Sequence, residues 1–269
     1  MNELIYVYCI SANIPQLDKI EGYDRLGVFC GDQYYAVTKK VSADEYSEEN
    51  LKKNFLNLSW IEAQTRNHVQ VISQIMESIT VIPCKFGTIF TSEETLKEFL
   101  YNYSDFLHDN LQILKGKEEW SVKIYCNRTK LSEQIAQLSK TIHDLEVQIR
   151  SSSPGKSFLL KKKRMDLVEA EVDQLSSKHA QMCFDSLKKI SELNTINKLL
   201  SNELTGREED MILNATFLVK KKKVDEFIKM VDFLKKEYES DGFELECSGP
   251  WPSFSFISIN NTNAELCNK

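Results

Sequence analysis

No run of this 269-residue chain approaches the ~20 consecutive apolar residues that a membrane-crossing helix needs. A transmembrane segment is therefore not expected. Positive charge is not in excess either: 34 Lys and Arg stand against 40 Asp and Glu, for a formal net charge of −6 and a pI of about 5.4. The chain as a whole offers no electrostatic attraction to nucleic acid. No two of its seven cysteines (Cys9, Cys30, Cys84, Cys126, Cys183, Cys247 and Cys267) form a CxxC pair, so zinc sites and thioredoxin-like chemistry lack support. Several lie in apolar stretches, where a thiol acts as a small hydrophobe, and a reducing cytoplasm fits that usage. HExxH and related metal spacings are missing, and His68, His108, His143 and His179 fall on four different predicted helices. No metal or cofactor is expected.

What is present is an ordinary globular composition, 42% hydrophobic and 28% charged, long enough for one large domain or two modest ones. The N-terminus, Met1 to Ile10, is short, aromatic and without a basic start, which makes it a strand and not a signal peptide. Arg25–Cys30 and Tyr34–Val41 read as further strands joined at Gly31-Asp32. Ile61, Thr65, His68, Val69, Ile72, Ile75, Met76 and Ile79 recur at helical spacing. Thr80–Phe90 follows as a strand interrupted by Pro83 and Gly87, and Ser92 opens a predicted helix to about Leu114.

A second unit begins with the alternating stretch Glu119–Cys126. Leu131, Ile135, Leu138, Ile142, Leu145 and Ile149 then form an a/d seam, broken by Ser151-Ser152-Ser153-Pro154-Gly155. A second helical pattern runs from about Phe158 to Leu204, and the two are expected to fold back as an antiparallel arm. Met211–Val219 reads as a buried strand, Val224–Leu234 as an amphipathic helix and Phe243–Cys247 as a strand. Near the end, Trp251 stands between Pro250 and Pro252, which forbids a helix or a central strand and predicts a stiff corner feeding a strand from Phe254 to Ile259. The expected fold class is thus α+β in two domains, 1–117 and 118–259, with the arm at about 128–204 and a polar tail at 260–269.

Sites of chemistry are sparse. Gly155-Lys156-Ser157 imitates the end of a P-loop, but Arg150 stands where the first glycine belongs and a heptad helix precedes it, so a helix start is the better reading. His68, on an apolar helix face, reads as a hydrogen-bonded core histidine. Cys84, beside Lys85, is the one candidate nucleophile, with no Cys-His spacing to support it. Two basic runs, Lys161-Lys162-Lys163-Arg164 and Lys220-Lys221-Lys222-Lys223, read as solvated faces or, alternatively, as docking sites for an acidic partner or nucleic acid.

Several of these segments together resemble one family. Val81-Ile82-Pro83-Cys84-Lys85-Phe86-Gly87-Thr88 is similar to the Pro-x-basic-Phe-Gly-Thr signature of the gas vesicle GvpF/GvpL family, with His68 at the family's histidine position. Glu119-Trp120-Ser121-Val122-Lys123, Gly155-Lys156-Ser157-Phe158-Leu159, Ile212–Val219 and Gly249-Pro250-Trp251-Pro252-Ser253-Phe254-Ser255-Phe256 resemble its further motifs, in the same order. Cys84, Ser121, Ser253 and Phe254 depart from the usual residues. The resemblance implies an N-terminal domain of modified ferredoxin-like fold and a C-terminal α+β domain carrying a helical pair. It also implies a non-enzymatic accessory protein of gas vesicles, whose partners are the hydrophobic GvpA-like shell subunit and other accessory proteins, with neither nucleic acid nor membrane. Phe86, Trp251 and Phe254 are the candidate anchors, and Lys161, Lys162, Lys163 and Arg164 a candidate docking face. The rival readings are an enzyme acting through Cys84 and a regulatory or nucleic-acid-binding module acting through the lysine runs.

Overall fold

The computed structural model describes residues 3–20 and 25–257, the side chain of Lys19 excepted. The chain forms two compact units, one of Met1–Glu119 with Pro250–Lys269, the other of Trp120–Gly249. The Pro-Trp-Pro segment, expected in the second domain, thus belongs to the first. The tail expected at 260–269 lies outside the described residues.

The first unit is built on β1 (Glu3–Ser11), which is buried from Ile5 to Ser11. β2 (Leu26–Cys30) and β3 (Tyr35–Ser42) form a hairpin whose Gly31 N–H donates to the Tyr34 carbonyl. Helices α1 (Ala43–Tyr46), α2 (Glu48–Asn54) and α3 (Leu58–Met76) follow. Asn57 caps α3 by accepting the Trp60 N–H, and Val71, Ile72 and Ile75 face the core. The Thr80–Phe90 segment supplies only the two-residue strands β4 (Ile82–Pro83) and β5 (Ile89–Phe90). The order is β2-β3-β1-β4, with β5 also on β1, and every pairing of β1 is antiparallel. The helix expected from Ser92 to Leu114 is two, α4 (Glu93–Asn102) and α5 (Ser104–Leu114), because Tyr103 leaves helical geometry and packs on Phe99.

In the second unit β6 (Lys117–Cys126) leads into α6 (Arg128–Leu138), α7 (Lys140–Arg150) and α8 (Pro154–Lys188). The predicted seam is interrupted: Ser139 ends α6 and starts α7 in an extended conformation, and Leu138 is left 86% exposed. Cross-links to α8 run in opposite order along the chain, Arg128 to Asp173, Ser139 to Glu171 and Arg164 to Glu146, so the shorter helices lie antiparallel to it. The arm ends at Lys188, well before the expected Leu204. Residues beyond it form β7 (Leu193–Ile196) and the single turn α9 (Asn202–Thr205). Leu193 and Ile196 share a helical spacing of three, but the segment pairs antiparallel with β8 (Asp210–Lys220) instead. Tertiary pairing overrides local periodicity there. α10 (Val224–Tyr238) and β9 (Phe243–Trp251) complete the unit, with sheet order β7-β8-β6-β9.

The second unit thus runs as a β-α-β-β-α-β succession on one four-stranded sheet. The first unit keeps a matching strand order, yet its strands run β1, β2, β3 before any α-helix. β9 occupies a sheet edge and carries Pro250, as a strand proline should. Of the expected Phe254–Ile259 strand, Phe254–Phe256 form a 3-10 turn, and residues 258 and 259 lie outside the described residues.

Ile142, fully buried in the arm, and Leu138, exposed beside it, separate the two halves of the interrupted seam. Ile142→Ala is expected to destabilise the second unit by about 2–5 kcal/mol. Leu138→Ala is expected to stay within about 0.5 kcal/mol. Urea unfolding followed by circular dichroism checks both.

Candidate functional site

Residues of two family-like signatures, Cys84-Lys85-Phe86-Gly87 and the C-terminal segment with Phe254, meet at His68. Its helix buries the ring, and each ring nitrogen has a partner: Nδ1 lies 2.8 Å from the Tyr6 hydroxyl and Nε2 2.9 Å from the Cys84 carbonyl oxygen. A carbonyl can only accept, so Nε2 carries the proton and Nδ1 accepts from Tyr6. The Tyr6 oxygen in turn accepts the Gly87 N–H at 3.3 Å. Burial pushes His68 down to about 4, against a partial upward pull from the Cys84 carbonyl, and pushes the Tyr6 phenol up. The ring is neutral at ordinary pH.

Local structure explains why these residues converge. The register of β1 on β3 slips between Val7 and Cys9, a bulge at Tyr8. Tyr6 and Tyr8 both reach the histidine, Tyr8 stacked at 5.4 Å and Tyr6 edge-on at 5.5 Å. The loop between β4 and β5 is a tight turn in which Thr88 N–H donates to the Lys85 carbonyl at 3.1 Å and the Thr88 hydroxyl donates to the same oxygen at 2.7 Å. Gly87 occupies its third position at φ +84, a conformation that calls for glycine. The Phe-Gly-Thr order is therefore a turn chemistry that aims Phe86 at Tyr6, His68, Phe55 and Trp60, with ring centroids 5.9–6.3 Å away.

The returning C-terminal segment closes the cluster. Phe254 stacks on His68 at 6.4 Å, and Pro252, Ser253 and Phe256 are buried. Glu119 clamps the same segment: its carboxylate accepts the Ser255 N–H at 3.1 Å and the Ser255 hydroxyl at 2.8 Å. Burial raises Glu119 to about 7, although both Ser255 hydrogen bonds pull the other way.

Of the predicted anchors, Phe86 is half-buried within the cluster, whereas Trp251 and Phe254 are 43% and 37% exposed. The structure joins Phe86 and Phe254 through His68. Lys161, Lys162 and Lys163 are exposed on α8 and take no part in the cluster; Arg164 is half-buried and ion-paired with Glu146 at 2.7 Å. Lys220 pairs with Glu192 at 2.8 Å. Gly155 and Lys156 lie in the first turn of α8, as a helix start requires. Cys84 contributes its backbone, donating N–H to the Tyr8 carbonyl. With both His68 nitrogens committed, the ring is not arranged as a base for the Cys84 thiol. Among the described residues, no three His, Cys, Asp or Glu side chains converge to hold a cation, and no helix is long and apolar enough to cross a membrane.

Sequence reasoning passed over Tyr6, Tyr8, Glu119 and Ser255 as site residues. Glu119 and Ser255 stood inside resembling motifs; nothing local marked them as partners 136 residues apart.

Two changes probe this geometry. A methyl on Gly87 has room, the nearest atom being Phe55 Cζ at 3.6 Å, so the cost of Gly87→Ala is backbone strain of about 1–2 kcal/mol. Denaturant midpoints measure it. The folded chain holds the Glu119 proton up to about pH 7, whereas the unfolded chain releases it near 4.5. Folding then binds a proton between those values, and the Glu119 contribution to stability falls as pH rises through them. Glu119→Gln is expected to gain on the parent chain progressively from pH 4.5 to about 7 and to hold that gain above. His68 has the opposite sign, its contribution being lost as pH falls from 6.5 through about 4.

A sequence profile described as "Gas vesicle synthesis protein GvpL/GvpF" matches residues 4–258. The chain is similar to gas vesicle protein L of a Streptomyces species, 24% identical over 224 residues that cover 83% of this chain and 80% of that one. It is 25% identical over 265 residues to gas vesicle protein F of Dolichospermum flosaquae, covering 96% and 98% of the two chains. Its fold is similar to the crystal structure of GvpF from Anabaena sp. PCC7120, with a TM-score of 0.72, 20% identity and coverage of 96% and 99%.

Proposed function

The chain belongs to the gas vesicle synthesis protein GvpL/GvpF family, and from that membership we propose that it acts in vesicle assembly by binding the hydrophobic shell subunit and other accessory proteins. Binding keeps the apolar surface of the subunit covered until it joins the shell, since an apolar client left in water aggregates. The observation that carries this reading is the match along residues 4–258, together with an exposed aromatic pair, Trp251 and Phe254, held on a fixed support.

Physically, a binding anchor needs a large side chain whose pose is set before the partner arrives. Pro250 and Pro252 restrict the backbone on either side of Trp251. Glu119 fixes Ser255, and the His68 ring supports Phe254. Phe86 backs the pair from within the cluster through its contact with His68. No step in this account uses a nucleophile, an acid-base pair or a cofactor.

Co-expression with the shell subunit from the same gene neighbourhood tests the reading. The tagged chain is expected to retain the subunit in soluble form, and deletion of its gene to abolish vesicles. Replacing Trp251 and Phe254 together by alanine is expected to weaken retention by about 2 kcal/mol or more, roughly thirtyfold. Aggregation of the subunit to the same extent with and without this chain contradicts the proposal.

A further inference from the structure

The tip of the helical arm carries a charge pattern that the fold leaves uncompensated. From Val147 to Met165 there are six cations, Arg150, Lys156, Lys161, Lys162, Lys163 and Arg164, and no carboxylate, in a chain of net charge −6. Among the described residues, only Arg164 of these has a salt bridge. Three exposed helix cations of the first unit, by contrast, pair one turn away, as Lys52–Glu48, Lys53–Glu49 and Arg66–Glu62. Asp166, one turn on from Lys162 and Lys163, and Glu169, about two turns on, make no salt bridge to them among the described residues. The placement is also unfavourable to the helix itself. The first turn of α8 has no acidic residue, its N-cap Ser153 makes no side-chain capping bond, and cations there oppose the positive end of the helix dipole.

Apolar side chains share this surface. Phe158, Leu159 and Met165 are 69%, 66% and 67% exposed. At about 3.6 residues per turn, the exposed side chains between Phe158 and Met165 follow one another around α8 as Lys161, Met165, Phe158, Lys162, Leu159, Lys163, and the exposed Asp166 and Glu169 reach the same face further along the helix, away from the tip. Phe158 and Met165, seven residues apart with a lysine on each side, form one half of a two-helix seam with cationic flanks. A bilayer surface asks for an apolar face separate from the charged one, and here the two kinds alternate.

We propose that the arm tip is a docking surface for an acidic amphipathic helix of a partner protein, with apolar side chains meeting Phe158 and Met165 and carboxylates meeting Lys161, Lys162 and Lys163. Arg164 is excluded because Glu146 already holds it. This inference does not rest on the shell-subunit reading, and its test contains no shell subunit.

The probe is a synthetic helix with a leucine stripe flanked by glutamates, labelled for fluorescence anisotropy and titrated with the full chain; its counterpart carries lysines instead. The glutamate helix is expected to bind and the lysine helix not, with affinity falling on the order of tenfold from about 50 to about 300 mM salt. The triple change Lys161→Glu, Lys162→Glu, Lys163→Glu, at exposed positions that leave folding intact, is expected to reverse the preference. Phe158→Ser with Met165→Ser is expected to weaken glutamate-helix binding at least tenfold, circular dichroism being unchanged. Equal binding of the two helices, or binding of vesicles rich in anionic lipid with no preference between the helices, overturns the proposal.

Discussion

The first unit depends on a neutral, buried histidine that bonds two segments at once. His68 holds β1 through the Tyr6 hydroxyl and the β4–β5 turn through the Cys84 carbonyl, and the Tyr6 oxygen closes the loop onto Gly87. An unpaired polar group at this depth carries the full cost of lost hydration. Each member of the ring is therefore constrained by the others. The turn needs Gly87 for its φ and Thr88 for its second bond, and Phe86 is aimed inward as a result. Trp60 is fixed to the same cluster by its ring contacts and by donating Nε1–H to Glu45.

The same histidine gives the C-terminal segment a place to dock. Phe254 lies on its face, and Glu119 holds Ser255 with two hydrogen bonds. Trp251 and Phe254 thereby belong to the first unit, although the strand that delivers Trp251 is part of the second unit's sheet. An aromatic pair presented this way is preorganised, which lowers the ordering cost of binding.

How much of this was legible depended on whether the signal was local. The Ser92 cap and the helix start around Gly155-Lys156-Ser157 depend on residues within four positions and were readable, whereas the Phe-Gly-Thr turn showed only as an interruption of a strand at Gly87. The arm was visible as a heptad, yet Ser139 splits it, because an exposed Leu138 at a d position contributes nothing to hold the helix continuous. Leu193 and Ile196 satisfied a helical spacing by coincidence; their decisive partners on β8, Leu218 and Ala215, lie 25 and 19 positions on. His68 was readable as a core residue from its helical face. Its partners were not, since Tyr6 is 62 residues away and the atom of Cys84 that meets the ring is a backbone carbonyl oxygen. Glu119 looked like an ordinary strand residue until Ser255 was placed beside it.

The central claim is that His68 is a fixed, uncharged support and not a proton-transfer group. The imidazole nitrogen resonances of a 15N-histidine-labelled sample, followed from pH 8 downward, test it most directly. The account predicts a protonated Nε2 and a bare Nδ1 that stay unchanged until pH nears about 4. Titration near 6.5, or a proton found on Nδ1 at neutral pH, would contradict it.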